Sequence, residues 1–412
     1  MIAFYHIFIS CYAFGIRIAS LFNAKAKLWV DGRTDIFQQI KNTLKSGDEI
    51  VWFHCASLGE FEQAKPVIEK FKINFPTYKI LVTFFSPSGF EHRKNDPIID
   101  YVFYLPIDTL KNAKTFIKMV QPQLVFFVKY EFWFNYIMEL KRNNIPTYLI
   151  SGVFRENQLF FKWHGAWYKQ VLTGFTHFFV QNETSKNILL QHHFTNVTLS
   201  GDTRFDRVFE NALHPKKLPL IEQFKSNNIL LVGGSTWQPE EQLLANYSAV
   251  NPDKKIIIAP HDISENHLKQ IEQLFNQNCL RYSQANENNI TSKPNLIIDN
   301  IGLLANIYQY TDIAFVGGGF SGALHNILEP TSFGNVVLFG VKHQKFHEAA
   351  ALIAAKGAFE IANELDFKNT INVVLADLNI YKNNSKKFVM DNVGATDTIL
   401  RFLLNFKEYT QT

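Results

Sequence analysis

The apolar positions of this chain fall into short runs separated by stretches with helical spacing. Ile50-Val51-Trp52-Phe53, Ile80-Leu81-Val82-Thr83, Tyr101 to Leu105, Leu124 to Val128, Tyr148 to Ile150 and His177 to Val180 read as buried strands. Phe61 to Phe71 reads as a helix between the first two, and Gly89 to Arg93 opens another helical stretch. Such strand-then-helix alternation predicts a parallel sheet with right-handed crossovers. The pattern restarts at Ile229 to Gly234, a strand and glycine turn, and continues through Ile256 to Pro260, Leu296 to Ile298, Ile313 to Val316 and Val336 to Phe339.

Between the halves, Asp202 to Phe224 is less regular and contains His214-Pro215-Lys216-Lys217-Leu218-Pro219. The expected organisation is therefore an apolar helix over 1–22, a first Rossmann-like domain over 23–208 and a linker over 209–225. A second Rossmann-like domain follows over 226–390, and a terminal segment over 391–412, whose last apolar helix is placed against the first domain.

Composition narrows the class. With 47% hydrophobic and 19% charged residues the chain is globular, and 41 Lys+Arg against 37 Asp+Glu is too balanced for general nucleic-acid binding. Cys11, Cys55 and Cys279 have no metal or disulfide spacing, which favours a reducing compartment. The 39 phenylalanines suggest aromatic core filling.

Residues 1–22 are apolar except for His6, Ser10, Arg17 and Ser20. As a helix they would reach about 33 Å, enough for a bilayer core. Lys25, Lys27 and Arg33 follow, which favours a cytoplasmic location for the rest and argues against a cleaved signal. A spanning anchor and a helix lying in the interface with Arg17 snorkelling both fit. Little packing is expected to depend on this segment.

Two polar islands lie at strand ends. The first, His54-Cys55-Ala56-Ser57-Leu58-Gly59-Glu60, places polar groups and free N–H groups where open α/β sheets bind ligands. Ser57 and Glu60 fit a capping box; Glu60 also fits a general base, with Gly59 admitting a substrate close to the backbone. The second, His325-Asn326-Ile327-Leu328-Glu329, follows Gly317-Gly318-Gly319, and Asn326 and Glu329 are spaced to share a helix face, either as a cap or as ligands of a ribose diol. One island per half suggests two facing domains. Gly233-Gly234-Ser235-Thr236 is an N-cap or a phosphate cradle. Neither G-x-x-x-x-G-K-[ST] nor G-x-G-x-x-G occurs, which excludes a P-loop and disfavours an ordinary dinucleotide fold. None of His54, His261 and His325 stands in a metal-ligand spacing, and no metal is expected.

Taken in order, Ser57-Leu58-Gly59-Glu60, Thr83 to Gly89, Tyr104-Leu105-Pro106-Ile107-Asp108, Glu131-Phe132-Trp133, Gly201 to Asp206, Ser235-Thr236, Asp312 to Gly318 and His325 to Glu329 resemble the 3-deoxy-D-manno-octulosonic acid (Kdo) transferases of lipopolysaccharide assembly. The resemblance covers nearly the whole chain. It implies an α/β, GT-B architecture and transfer of Kdo from CMP-Kdo to the lipid A precursor lipid IVA, inverting and metal-independent. It also implies a place on the cytoplasmic face of the inner membrane, held by the N-terminal helix. No cofactor and no nucleic-acid partner are implied, and the oligomeric state is open. Glu60 would be the base, with Lys129, Glu131 and Arg204 beside it and Ser57 and Gly59 on the acceptor side. The donor would contact Ser235, Thr236, Pro260, His261, Asp262, Ile301, Gly302, Leu303, His325, Asn326 and Glu329.

The chain departs from the family pattern at four places. Lys129 stands where E-x-E-x-W has its first acid, Arg204 replaces a lysine, Pro260-His261-Asp262 loses an arginine, and Gly302-Leu303-Leu304 loses an acid. A lysine at 129 could take over part of the lost arginine's work, or mark a changed acceptor. Rival readings are another GT-B nucleotide-sugar transferase or epimerase, and a non-catalytic membrane-tethered scaffold.

Overall fold

The computed structural model describes residues 2–410, with side chains described to 405. Met1 and residues 411–412, at the ends of the expected anchor and terminal segments, lie outside the described residues. The chain divides into two units, one running through Arg207 and resuming at Gly394, the other spanning Val208–Val393.

The first unit holds strands β1 (Ile50–Cys55), β2 (Lys79–Phe84), β3 (Tyr101–Tyr104), β4 (Leu124–Val128), β5 (Thr147–Gly152), β6 (His177–Val180) and β7 (Val197–Leu199). They form one sheet in the order β3-β2-β1-β4-β5-β6-β7, every pair parallel. The chain winds outward from β1 to β3 and then returns to place β4 beside β1. That reversal leaves a crevice at the C-terminal ends of β1 and β4, the place where doubly wound sheets bind ligands.

The second unit repeats the plan with β8 (Leu230–Thr236), β9 (Lys255–Pro260), β10 (Cys279–Arg281), β11 (Asn295–Ile297), β12 (Ile313–Val316), β13 (Val336–Gly340) and β14 (Ala358–Ile361). Its order is β10-β11-β9-β8-β12-β13-β14, with the switch point between β8 and β12.

Every residue of β1 is buried, because helices cover both faces of the sheet. Val51, Phe53 and Cys55 face a core with Phe61, Phe71 and Phe126; Ile50 and Trp52 face another with Phe116, Phe127 and Tyr136. The phenylalanine excess goes here: Phe53 stacks on Phe126 at 4.6 Å and Phe71 on Phe75 at 4.6 Å. The strands absent from the sequence reading, β7, β10 and β14, are edge strands with partly exposed residues, so their hydrophobic signal is weak.

The linker expected over 209–225 is not a loose connection. The helix Thr203–Leu213 enters it, and the helix Pro219–Lys225 buries Ile221 and Phe224 in a core of the second unit with Leu230 and Val232. Lys225 Nζ reaches Asp312 Oδ2 at 2.9 Å and Lys382 Nζ reaches Oδ1 at 2.8 Å. Burial pushes the Asp312 carboxyl up, but these two ammonium groups and the Leu230 N–H outweigh it and hold it below its ordinary range. The terminal helix Ala395–Thr410 buries Ile399, Leu400 and Leu403 among the phenylalanines of the first unit. Asp206 ties it down, accepting from Gly394 N at 2.6 Å and from Thr396 N at 2.7 Å.

The N-terminal helix Ile2–Ala19 is long and apolar enough to cross a membrane. Contrary to the expectation from sequence, it is a packed part of the first unit along one stripe. Ile9 and Ala13 are buried, Tyr12 stacks on Phe85, and the Tyr5 hydroxyl donates to Asp108 Oδ2 at 2.5 Å. Asp108 also accepts from the N–H groups of Asn135 and Tyr136, each at 3.1 Å, which caps the helix Phe134–Arg142. Arg33, part of the basic flank after this helix, turns inward. It donates to the carbonyls of Trp29, Phe85 and Leu105 and lies 3.9 Å over the Trp29 ring. Burial lowers its guanidinium to about 9. The opposite helix face leaves Phe4, Phe8 and Phe14 exposed by 62% to 73%, and Phe22 in the turn beyond is exposed by 87%.

Tyr5→Phe should lower the unfolding free energy by about 1–3 kcal/mol, because Asp108 loses a donor in a buried site. Urea denaturation measures this; an unchanged midpoint would show that the hydroxyl contributes nothing.

Candidate active site

Glu60 sits in the first turn of the helix Leu58–Asn74, directly after β1. Its Oε2 accepts the Ser57 N–H at 3.1 Å, so the capping role read from sequence is present. Burial, followed by the negative charge of Glu131, pushes its carboxyl from the ordinary 4.5 up to about 8, against the N–H groups of Ala56 and Ser57 and the charge of Lys129. A carboxyl held near neutrality is suited to taking a proton. A Cβ on neighbouring Gly59 would meet only Ser57 Oγ, at 4.0 Å, so packing does not require this glycine and space above it is open.

Lys129, Tyr130 and Glu131 follow β4 across the switch point. Lys129 takes a left-handed φ of 65°, and its Nζ lies 5.4 Å from the Tyr130 ring centre. Glu131 is engaged from two sides: Trp133 Nε1 donates to its Oε2 at 2.6 Å, and His54 Nε2 lies 3.1 Å from the same oxygen. His54 is fully buried, and its Nδ1 lies 2.8 Å from Thr83 Oγ1, which also receives Trp52 Nε1–H at 2.8 Å. Arg204 is fixed by Asp202, with Nε donating to Oδ2 at 2.8 Å and Nη2 at 2.7 Å from the same atom. Its charge and that of Arg155 act on Tyr130, whose hydroxyl also feels Glu60. The structure thus gathers Ser57, Gly59, Glu60, Lys129, Glu131 and Arg204 at one end of the first sheet.

In the second unit the residues at the β8–β12 switch point converge around a ring stack. His261 packs between Trp237 and His325, with ring centres 4.6 Å from each. Trp237 Nε1 donates to His325 Nε2 at 3.4 Å. Burial, then the neighbouring His261, lowers the His325 imidazole below its ordinary value. Ser235 adopts a left-handed φ of 52°, and its carbonyl lies where a Cβ on Gly317 would come within 2.0 Å, so only glycine fits there. Glu240 accepts from Gly318 N at 3.0 Å and binds the glycine turn to the helix Gln238–Val250.

Asn326 Nδ2 donates to Glu329 Oε1 at 3.0 Å, while Asn326 Oδ1 caps Leu328 N at 3.1 Å. The shared face read from sequence exists, and the cap exists with it. Thr236 is a correction: its side chain is buried and donates to Glu241 Oε1 at 3.1 Å, which commits the hydroxyl to the fold. Asp262 is engaged locally, accepting from Ser264 N at 2.8 Å. Pro260 ends β9 in the interior. Ile301 and Gly302 form an exposed turn with φ 98° at the glycine, and Leu303 leans onto the core beneath it.

The sequence considers His54 only as a metal ligand, which its spacing does not support, and does not single out Tyr130, Arg155 or Trp237. A lone polar residue in an otherwise apolar buried strand is the signal that would have marked His54. Among the described residues no group of three or more His, Cys, Asp or Glu is arranged to hold a metal ion.

Residues 31–207 match the family described as 3-deoxy-D-manno-octulosonic-acid transferase. The chain is 27% identical over 322 residues to a 3-deoxy-D-manno-octulosonic acid transferase of Chlamydophila psittaci, covering 75% of this chain and 73% of that one. It is also 27% identical over 346 residues to a bifunctional glycosyltransferase/methyltransferase of Fusobacterium nucleatum, covering 79% of this chain but only 53% of that longer protein. In structure it is similar to a UDP-GlcNAc 2-epimerase from Neisseria meningitidis, with a TM-score of 0.62 at 17% identity, covering 87% of this chain and all of that one. That likeness speaks for the fold alone. Residues 31–207 thus match the Kdo-transferase family, and the chain, with its GT-B fold, is similar over most of its length to Kdo transferases.

Proposed function

We propose that this protein transfers Kdo from CMP-Kdo to lipid IVA, with inversion and without a metal. The observation that carries the reading is Glu60. It is a partly buried carboxyl raised to about 8, placed at the switch point of the family-matched domain with open space over Gly59. Glu60 takes the proton of a glucosamine primary hydroxyl as that oxygen attacks the anomeric carbon of Kdo. The bond from that carbon to the phosphate oxygen breaks, and CMP leaves with the electron pair. Arg204, held in place by Asp202, offsets charge on the departing phosphate.

The second unit binds the nucleotide. Asn326 and Glu329 present a hydrogen-bonded pair to the ribose, and the glycine turn with Ser235 brings backbone N–H groups towards phosphate. Lys129, in place of the family's acid, adds a cation beside Glu60 that suits a phosphorylated acceptor.

The protein works at the cytoplasmic face of the inner membrane. A helix whose Tyr5 is bonded to Asp108 cannot lie in hydrocarbon along its whole circumference, so it rests in the interface on its phenylalanine face. Exposed Lys25 and Lys27 meet the anionic headgroups.

Glu60→Gln should cut transfer about 100- to 10,000-fold, in buffer containing EDTA, while CMP binding stays intact. Retention of more than a tenth of turnover would leave Glu60 as a cap only. The same substitution has a stability signature. Because folding raises the Glu60 carboxyl from 4.5 to about 8, its protonated form favours the fold; that contribution is full below 4.5 and lost as pH rises through 8. The variant should therefore gain stability relative to the wild type across that window, as thermal melts at pH 5 and pH 9 would show; a constant difference would contradict the raised carboxyl. Glu329→Ala should weaken CMP binding about 5- to 150-fold, by loss of hydrogen bonds worth about 1–3 kcal/mol, measured by calorimetry. Unchanged affinity with the fold intact would move the donor elsewhere.

A further inference from the structure

The polar chain behind Glu131 has no part in the transfer step, yet it runs through the centre of the first sheet. Trp52 and His54 point to one face of β1, and His54 pairs in register with Thr83 on β2. Counting donors fixes the ring. Thr83 Oγ1 receives the Trp52 indole N–H at 2.8 Å, and among the described residues the acceptor facing its own proton is His54 Nδ1 at 2.8 Å. A hydroxyl that donates there leaves Nδ1 bare, so the ring proton sits on Nε2 and points at Glu131 Oε2, 3.1 Å away. The other tautomer would strand the threonine proton and leave Nε2 to accept from Trp133 Nε1–H, 3.0 Å away, although that N–H lies closer to Glu131 Oε2. Trp133 Nε1–H completes the set at 2.6 Å.

We propose that His54 is a positioning residue, whose Nε2–H, fixed by Thr83, holds the Glu131 carboxyl in place beside Glu60 and so sets the surroundings in which Glu60 takes its proton. The proposal deepens the transferase reading and rests on Glu60 being its base. The neighbours of the pair are defined. Glu60 faces Cys55 from β1 and Lys129, Tyr130 and Glu131 from the segment after β4; Glu131 also faces Tyr168. Among these groups only Glu131 adds a negative charge that favours a proton on Glu60, and Lys129 opposes it. The proton affinity of Glu60 therefore depends on how firmly Glu131 is held beside it. The ring and the indole are the two donors to its Oε2. A ring that lost its threonine partner could rotate its proton to Nδ1 and release Glu131.

The experiment uses the full-length protein with carboxyl-labelled glutamate and reads the titration of Glu60 by carbon NMR, assigned through Glu60→Gln. His54→Leu should move the Glu60 midpoint to lower pH by about one unit, since Glu131, released from the ring, is no longer held beside Glu60. His54→Gln, which keeps an N–H near the Nε2 position, should restore the midpoint. In a Glu131→Gln background His54→Leu should add no further shift, because both act through one carboxylate. The kcat pH profile should follow the same order. An unmoved midpoint in folded His54→Leu, or an equal shift without Glu131, would overturn the proposal. If His54→Leu does not fold, nitrogen NMR of the wild-type ring decides: a proton on Nε2 supports it, and one on Nδ1 overturns it. The carboxyl titration needs no substrate, so loss of the transferase reading, seen as no Kdo transfer by the wild type, is a separate outcome.

Discussion

Two carboxyl groups that share a poorly solvated space cannot both carry charge cheaply, and the chemistry of this protein depends on which one does. Glu60 and Glu131 meet that constraint at the switch point of the first sheet, one after β1 and one after β4. Glu131 has hydrogen-bond donors from His54 and Trp133, whereas Glu60 has the backbone N–H groups of Ala56 and Ser57 ahead of its helix and an open approach over Gly59. Two like groups are thereby given unlike environments, and the one left facing open space is the one able to collect a proton.

The sheet topology makes that arrangement possible. Strand order reverses only where β4 returns beside β1, so residues about 70 positions apart in sequence arrive at one crevice, in keeping with the general rule for such folds. Helices on both faces keep β1 dry, and a buried histidine in that strand must find partners within the sheet. It finds Thr83 across the β1–β2 register and Glu131 beyond the end of β4. The second sheet uses its own switch point differently. There, close approach of the Ser235 carbonyl forces glycine at 317, and the loops carry the stacked His261 and His325 rings and the Asn326 amide.

Central strands were legible in the sequence because burial on both faces leaves unbroken apolar runs, as in β1 and β12. Edge strands such as β10 were not, since partly exposed residues break the run. The helix Pro219–Lys225 was hidden by the surrounding prolines and lysines, although Ile221 and Phe224 are spaced for one buried face. The N-terminal helix misled for the opposite reason: in a run that is apolar all round, periodicity cannot distinguish a stripe that packs from one that faces lipid. Its tie, Tyr5 to Asp108, spans 103 residues and has no local signature. The Glu60 cap and the Asn326–Glu329 pair were legible because helix spacing is local. Thr236 was misread because a hydroxyl at a strand end looks the same whether it faces ligand or, as here, an internal Glu241. The His54 network was illegible because each link crosses between strands.

The central claim is the transfer reaction itself. Its most direct test is to incubate the purified full-length protein with CMP-Kdo and lipid IVA and take a mass spectrum of the lipid, with UDP-GlcNAc as the competing donor. The account predicts a lipid heavier by one or more Kdo residues, with CMP released in equal amount and no product from UDP-GlcNAc. Unmodified lipid IVA with active donor present, or transfer from the UDP sugar instead, would contradict it.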